Sequence, residues 1–301
     1  MQEAEFYGAS SLVFKEKKPF LYRASWVHGL GHMFSNFQDS HTILHHDEKF
    51  LPLHLVNTEN IRNLLLQENY NSVAIGSPFI YNNYIDDTTI SRSINRLFIP
   101  PHSIENLNTK KSYSGWISFA VKNNCDAICV SEKDFSAFSN INPKNVKIIC
   151  GASIKNEKSL NKIAILFKRS KEIISSALGS HLAYAAICGA KVRLVLPDSI
   201  PEANIPGTEF YNNYIDNFPK ESKDSIIKFL ARSHAHNIDK TIWFRGNNNE
   251  ILEYSRFICG VNCKKKKDEI NLLLRPKNLA ESLYIYRRLL ANKFYRKLNF
   301  L

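Results

Sequence analysis

The spacing of apolar and polar positions along the chain alternates short β-rich runs with segments of helical period. Ala24-Ser25-Trp26-Val27 reads as a short strand ending in a His28-Gly29 turn. Residues 50–56 are strand-like, 58–67 have helical period with Thr58 as the cap, and 72–75 form another strand. Strands are again expected at 96–99, 127–130, 147–150 and 192–196, with helices over 113–122, 159–167, 180–187 and 223–234. Strand, helix and strand in this order build a parallel sheet, so the expected class is α/β. The polar stretch 82–94, rich in Asn, Asp, Thr and Ser, is the expected linker. It divides an N-terminal domain (1–94) from a second α/β domain (95–278), and a C-terminal helix (279–301) follows.

Within the second domain, residues 173–195 combine a serine and glycine turn, a helix and a strand. Ser175, Ser176 and Ser180 supply hydroxyls, Gly179 allows close approach of the backbone, and Gly189 is placed to end the helix. A helix N-terminus with unpaired N–H groups, partial positive charge and hydroxyls suits a phosphate. Turns around Ser103, Ser131, Ser153 and Ser175–Ser180 all follow predicted strands. They should therefore meet at the carboxyl edge of one sheet, where open α/β sheets bind ligands.

Residues 279–298 form an amphipathic helix in which Leu279, Leu283, Tyr286, Leu290, Phe294 and Leu298 make the apolar stripe. Arg287, Arg288, Lys293, Arg296 and Lys297 fringe it. The stripe is expected either to pack across the domains or to face an anionic membrane surface.

Composition narrows the classes. At 301 residues with 44% hydrophobic content the chain has material for sizeable cores. It shows neither an apolar run long enough to span a bilayer nor the basic-then-apolar start of a leader, so a cytoplasmic setting is expected. The formal net charge is +12, but residues 264–301 carry 11 Lys and Arg against three acids. Basicity gathered in a tail, without a stripe interleaved with aromatics, argues against a specific nucleic-acid partner. The six cysteines follow no disulfide or zinc spacing and read as reduced thiols. His28 and His32, and the cluster His41, His45 and His46 beside Asp47 and Glu48, lack the companions of a metal site and read as loop histidines. No metal and no cofactor is expected.

The series Trp26-Val27-His28-Gly29, Ile75-Gly76-Ser77-Pro78-Phe79-Ile80-Tyr81, Ile99-Pro100-Pro101-His102-Ser103 and Gly179-Ser180-His181-Leu182-Ala183-Tyr184-Ala185 resembles bacterial surface-polysaccharide glycosyltransferases of the GT-B fold. The Pro-His element and the serine turn are also similar to motifs of sialyltransferases and Kdo transferases that hold CMP-sugars. Here the order is Pro101-His102 rather than His-Pro, and the acidic base motif of sialyltransferases has no clear counterpart. The resemblance implies two Rossmann-like domains facing a cleft and a metal-independent, inverting transfer from a nucleotide sugar to a glycan or lipid-linked glycan. It places the nucleotide on Ser175, Ser176, Gly179, Ser180 and His181, with His102, Ser103 and Ser153 contributing from neighbouring turns. His28 is the expected base, since imidazole exchanges protons near neutral pH, and Asp39 is its substitute. A sugar-nucleotide epimerase or hydrolase of the same architecture is the competing expectation.

Overall fold

The computed structural model describes residues 2–14, 18–28, 43–44, 48–100, 113–141, 146–176, 179–195, 243 and 247–299. Two parallel sheets form its frame, as the α/β reading expects. The first contains β1 (Ala24–Trp26), β2 (Leu53–Val56) and β3 (Ser72–Ala74), side by side in that order. Helix α1 (Glu59–Gln67) makes the crossover from β2 to β3. Thr58 caps it, accepting the Ile61 N–H on its hydroxyl at 3.4 Å. Ile61 and Leu65, one turn apart, are the α1 residues buried against the sheet.

The second sheet contains β4 (Ile94–Ile99), β5 (Ala127–Val130), β6 (Lys147–Cys150), β7 (Ser170–Ser175) and β8 (Lys191–Leu194). Between them run α2 (Tyr113–Lys122), α3 (Glu132–Ser139), α4 (Ser159–Arg169) and α5 (Ser180–Ile187). The strands lie in the order β6-β5-β4-β7-β8, all parallel. The chain winds outward from β4 to one edge, returns to β7 and winds to the other. This is the doubly wound pattern, with its switch point between β4 and β7.

Three features depart from the sequence reading. β7 begins at Ser170 because polar Lys171 and Glu172 are strand residues. Glu172 meets Arg96 of β4 at 2.6 Å, so a cross-strand ion pair holds the start of a strand that no apolar run marks. Helix α3, absent from the reading, is nucleated by its cap: the Ser131 hydroxyl takes the Asp134 N–H and donates to the Asp134 carboxylate at 2.7 Å. The expected linker is tied down. Asn82 donates to Asn161 at 3.0 Å, Lys168 to the Ile85 carbonyl at 3.0 Å, and Arg92 to the carbonyls of Ser170 and Cys188.

The C-terminal helices α6 (Asn248–Ile258), α7 (Lys267–Leu274) and α8 (Leu279–Asn299) run from the second sheet back to the first. α6 packs on α5. The turn after it reaches β3, where Ser77 N–H donates to the Cys259 carbonyl at 2.8 Å, and α7 lies beside β1, its Leu274 carbonyl accepting Arg23 N–H at 2.8 Å. One hydrophobic core consequently contains residues of both sheets, among them Leu55, Ile75, Leu97, Ile173, Leu182 and Ile258. A smaller core around Phe98, Trp116, Phe138 and Ile174 covers the other face of the second sheet.

The stripe predicted for the last helix is not its packing face. Among the described side chains of α8 Ile285 is the fully buried one and Glu281 pairs with Arg23 at 2.9 Å, whereas Leu279, Leu283, Tyr286 and Leu290 are exposed. Packing across the domains through that stripe is therefore corrected. Among the described residues no helix is long and apolar enough to cross a membrane. Phe294, Leu298 and the other side chains from residue 293 onward, and the helix expected at 223–234, lie outside what is described.

Candidate functional site

The switch point is closed by one serine. Ile99 at the end of β4 is the register partner of Ser175 at the end of β7. The fully buried Ser175 hydroxyl lies 2.9 Å from the Ile99 carbonyl oxygen and 2.7 Å from Nε2 of His181. A hydroxyl has one proton, and a carbonyl can only accept. Ser175 therefore donates to Ile99 and accepts from His181, which fixes an imidazole proton on Nε2. Gly179 leaves room for this ring, since a Cβ there would sit 2.9 Å from Nδ1. Ser180 opens α5, and buried Ser176 follows β7 at the same crevice.

One turn into α5, Tyr184 carries the crevice to the first sheet. Its hydroxyl donates to the His28 carbonyl oxygen at 2.8 Å, and its ring stacks on Phe79 with centroids 4.0 Å apart and planes 6° from parallel. Burial, reinforced by the Cys259 thiol, raises the phenol well above its ordinary pKa despite hydrogen bonding to Ser77 and Ser180. Tyr184 is thus a fixed donor at neutral pH. Burial likewise pushes the Cys259 thiol up to about 12, so it stays protonated and unreactive beside the site.

His28 follows β1, whose ladder is extended by Val27 N–H donating to the Leu55 carbonyl at 3.0 Å. Its ring is flanked by Phe6 and Tyr7 at 5.1 and 5.3 Å between centroids. Nδ1 lies 3.3 Å from Oε1 of Glu3, a nearly buried carboxylate. The Glu3 N–H in turn donates to Oε1 of buried Glu48 at 2.6 Å. This N-terminal segment also touches the second sheet, through Tyr7 N–H and the Ile154 carbonyl at 2.9 Å.

Of the residues singled out from sequence, His28, Ser175, Ser176, Gly179, Ser180 and His181 lie along this junction between the carboxyl ends of the two sheets. Ser153 stands apart. It follows β6, three strand spacings or about 14 Å from β7, and its backbone N–H and carbonyl bond the Ser159 hydroxyl at 2.9 and 2.8 Å to start α4. Asp39, His102 and Ser103 lie outside the described residues, as do His32, His41, His45 and His46. Among the described residues no group of three or more His, Cys, Asp or Glu side chains could hold a metal ion. Glu3 and Tyr184 were not chosen from sequence. The signal for Tyr184 was its place one turn after Ser180; an N-terminal glutamate carries none until the chain folds back onto β1.

No protein-family model matches the chain, and no curated protein sequence does. Among solved structures it is similar to a co-structure of S. aureus MnaA with UDP, at 12% identity over 73% of this chain and 59% of that one, with a TM-score of 0.36. It is also similar to the UDP-GlcNAc 2-epimerase from Methanocaldococcus jannaschii, at 16% identity over 76% and 68%, with a TM-score of 0.32. A third is the GtfA/B complex, at 10% identity over 79% and 46%, with a TM-score of 0.33. The chain therefore spans about three-fifths of MnaA and under half of the GtfA/B chain.

Proposed function

We propose that this chain is a GT-B-like glycosyltransferase that takes a sugar from a nucleotide donor and passes it to a glycan or lipid-linked glycan hydroxyl. The observation that supports this most is the serine that bridges Ile99 and His181 at the β4–β7 switch point, where doubly wound sheets hold nucleotides. The donor favoured by the sequence resemblance is a CMP-linked acidic sugar of the Kdo or sialic-acid type. UDP, present in one of the similar structures, is the other donor to test.

In this reading the nucleotide phosphate sits against the N-terminus of α5. Ser176 and Ser180 offer hydroxyls and His181, oriented by Ser175, faces the departing oxygens. His102 and Ser103, a few residues beyond β4, complete the phosphate contacts. His28 removes the proton of the acceptor hydroxyl as its oxygen attacks the anomeric carbon. The bond from that carbon to the phosphate oxygen breaks, and the nucleotide leaves with the electron pair. Asp39 is the alternative base. Attack opposite the leaving group inverts the anomeric centre, and no metal is needed where helix N–H groups and hydroxyls meet the phosphate.

A sugar-nucleotide epimerase or hydrolase would use the same phosphate site without an acceptor, and one of the similar structures is by name a UDP-GlcNAc 2-epimerase. The first experiment is a thermal-shift panel of CMP, UDP, GDP and ADP, with and without magnesium. A ligand at about 100 times its Kd adds about 2.7 kcal/mol. A shift with CMP that needs no metal and disappears in Ser180→Ala supports the reading. A shift with UDP alone replaces the donor, and no shift with any nucleotide overturns the site. Product analysis of the stabilising donor then separates transfer to an added glycan from epimerisation or hydrolysis.

A further inference from the structure

We propose that the outward face of α8 is a docking surface for an anionic lipid bilayer. The helix is 21 residues long, which is about 30 Å. Its described side chains hold it on the body by one side. Ile285 is fully buried, Glu281 pairs with Arg23, and Tyr284 meets the ring of Phe50 edge-on at 6.4 Å. Leu279, Leu283, Tyr286 and Leu290 recur at the spacing of a single helical stripe and are 74%, 47%, 44% and 37% exposed. Four large apolar side chains aligned on one exposed stripe mark an interaction surface rather than scattered surface apolars.

Charge selects the occupant. Exposed Arg287 lies beside the stripe, Arg288 covers the ring of Tyr284 at 5.8 Å on the side turned to the body, and Lys293, Arg296 and Lys297 follow on the same helix. With Lys264–Lys267, Arg275 and Lys277 they give residues 264–301 eleven cations against three acids. Two copies meeting through this face would bring two such segments together, which repulsion opposes. An anionic bilayer satisfies both the charge and the apolar stripe. Leucines enter the acyl boundary, tyrosine suits the headgroup level, and long basic side chains reach the phosphates. The helix lies in the plane of the surface, being too polar to cross it.

The test is co-sedimentation of the full chain with phosphatidylglycerol-rich and with pure phosphatidylcholine vesicles, at low and high salt. Binding to the anionic vesicles that falls as salt rises is expected. Leu283→Glu with Leu290→Glu should weaken it by about ten-fold or more. Arg287→Gln should weaken it by about five-fold. All three positions are exposed, so unchanged melting midpoints confirm that the variants fold. Three results overturn the proposal: no partitioning onto anionic vesicles, binding undiminished in the double glutamate variant, or a dimer in light scattering that the same variant dissociates. The surface is separate from the nucleotide site, so none of these results bears on that reading.

Discussion

Ser175 Oγ lies 2.7 Å from His181 Nε2 and 2.9 Å from the Ile99 carbonyl oxygen, so one hydroxyl joins two parallel strands to the first turn of a helix. Its proton is committed to the carbonyl. Ser175 therefore positions His181 and does not itself donate to a phosphate. Ser175→Ala is expected to weaken nucleotide binding by about ten-fold, because His181 loses the acceptor that holds its ring. His181→Ala should cost at least as much. The double variant should cost little more than His181→Ala alone, a coupling on the order of 1 kcal/mol. Titration calorimetry of the four proteins measures it. Additive losses would show that the two residues contact the nucleotide independently.

Glu3 and His28 make a second pair, with Nδ1 and Oε1 3.3 Å apart against the rings of Phe6 and Tyr7. A carboxylate at Nδ1 orients the ring and favours the charge His28 gains when it takes the acceptor proton. His28→Asn is expected to lower kcat by about 10² to 10⁴. Glu3→Gln, which keeps the shape and removes the charge, should lower kcat by about ten-fold and leave KM for the donor unchanged. Steady-state kinetics of the transfer decides this. A Glu3→Gln enzyme with full kcat would reduce Glu3 to a packing residue.

Much of the frame was legible in the sequence. Strands β5 and β6 and helix α2 stand where apolar runs and periods placed them; β5 is buried along its whole length and α2 buries Trp116, Ile117 and Ala120, whereas β6 is the half-exposed edge strand. Reading failed where a polar contact substitutes for a hydrophobic signal. The start of β7 is held by the Glu172–Arg96 ion pair, and α3 by the Ser131–Asp134 cap. The reading of the α8 stripe left open whether the domains or a membrane surface covers it, since periodicity identifies an apolar side without saying what covers it; Leu279, Leu283, Tyr286 and Leu290 are exposed. Within the site, the serine turn was visible as a local run. The Glu3–His28 and Tyr184–His28 contacts, between residues 25 and 156 positions apart, exist only through the fold.

Gly260 illustrates a local demand of that fold. It sits at φ +68°, and a Cβ there would fall inside the Asn57 carbonyl and 2.9 Å from Cα of Gly76. At this point the chain leaving α6 crosses the carboxyl ends of β2 and β3, and the crossing joins the C-terminal helices to the first sheet. Gly260→Ala combines an unfavourable backbone angle with a backbone clash and is expected to destabilise the protein by about 2–4 kcal/mol. Urea unfolding measures the loss. A midpoint within error of the native chain would mean that the crossing is not part of the cooperative unit.

His54 sets an acid limit on stability. It lies in the centre of β2 with Nδ1 2.8 Å from the Ser25 hydroxyl, and burial lowers its pKa to about 4, a hydrogen bond with the Lys49 backbone offsetting part of the shift. In the unfolded chain an imidazole titrates near 6.5. Between these values the unfolded state binds a proton that the folded state refuses. Stability is therefore fully present above about pH 6.5, declines as the pH falls toward 4, and recovers nothing below it. The total contribution of this one group is on the order of 3 kcal/mol. His54→Gln keeps a polar partner for Ser25 and removes the titration. It should be less stable than the native chain at pH 7, and it should lose less further stability between pH 7 and 4.5. Denaturant unfolding at intervals across that range gives the two slopes. Parallel slopes would place the acid sensitivity elsewhere, whereas a shallower slope in the variant assigns it to the buried imidazole of β2.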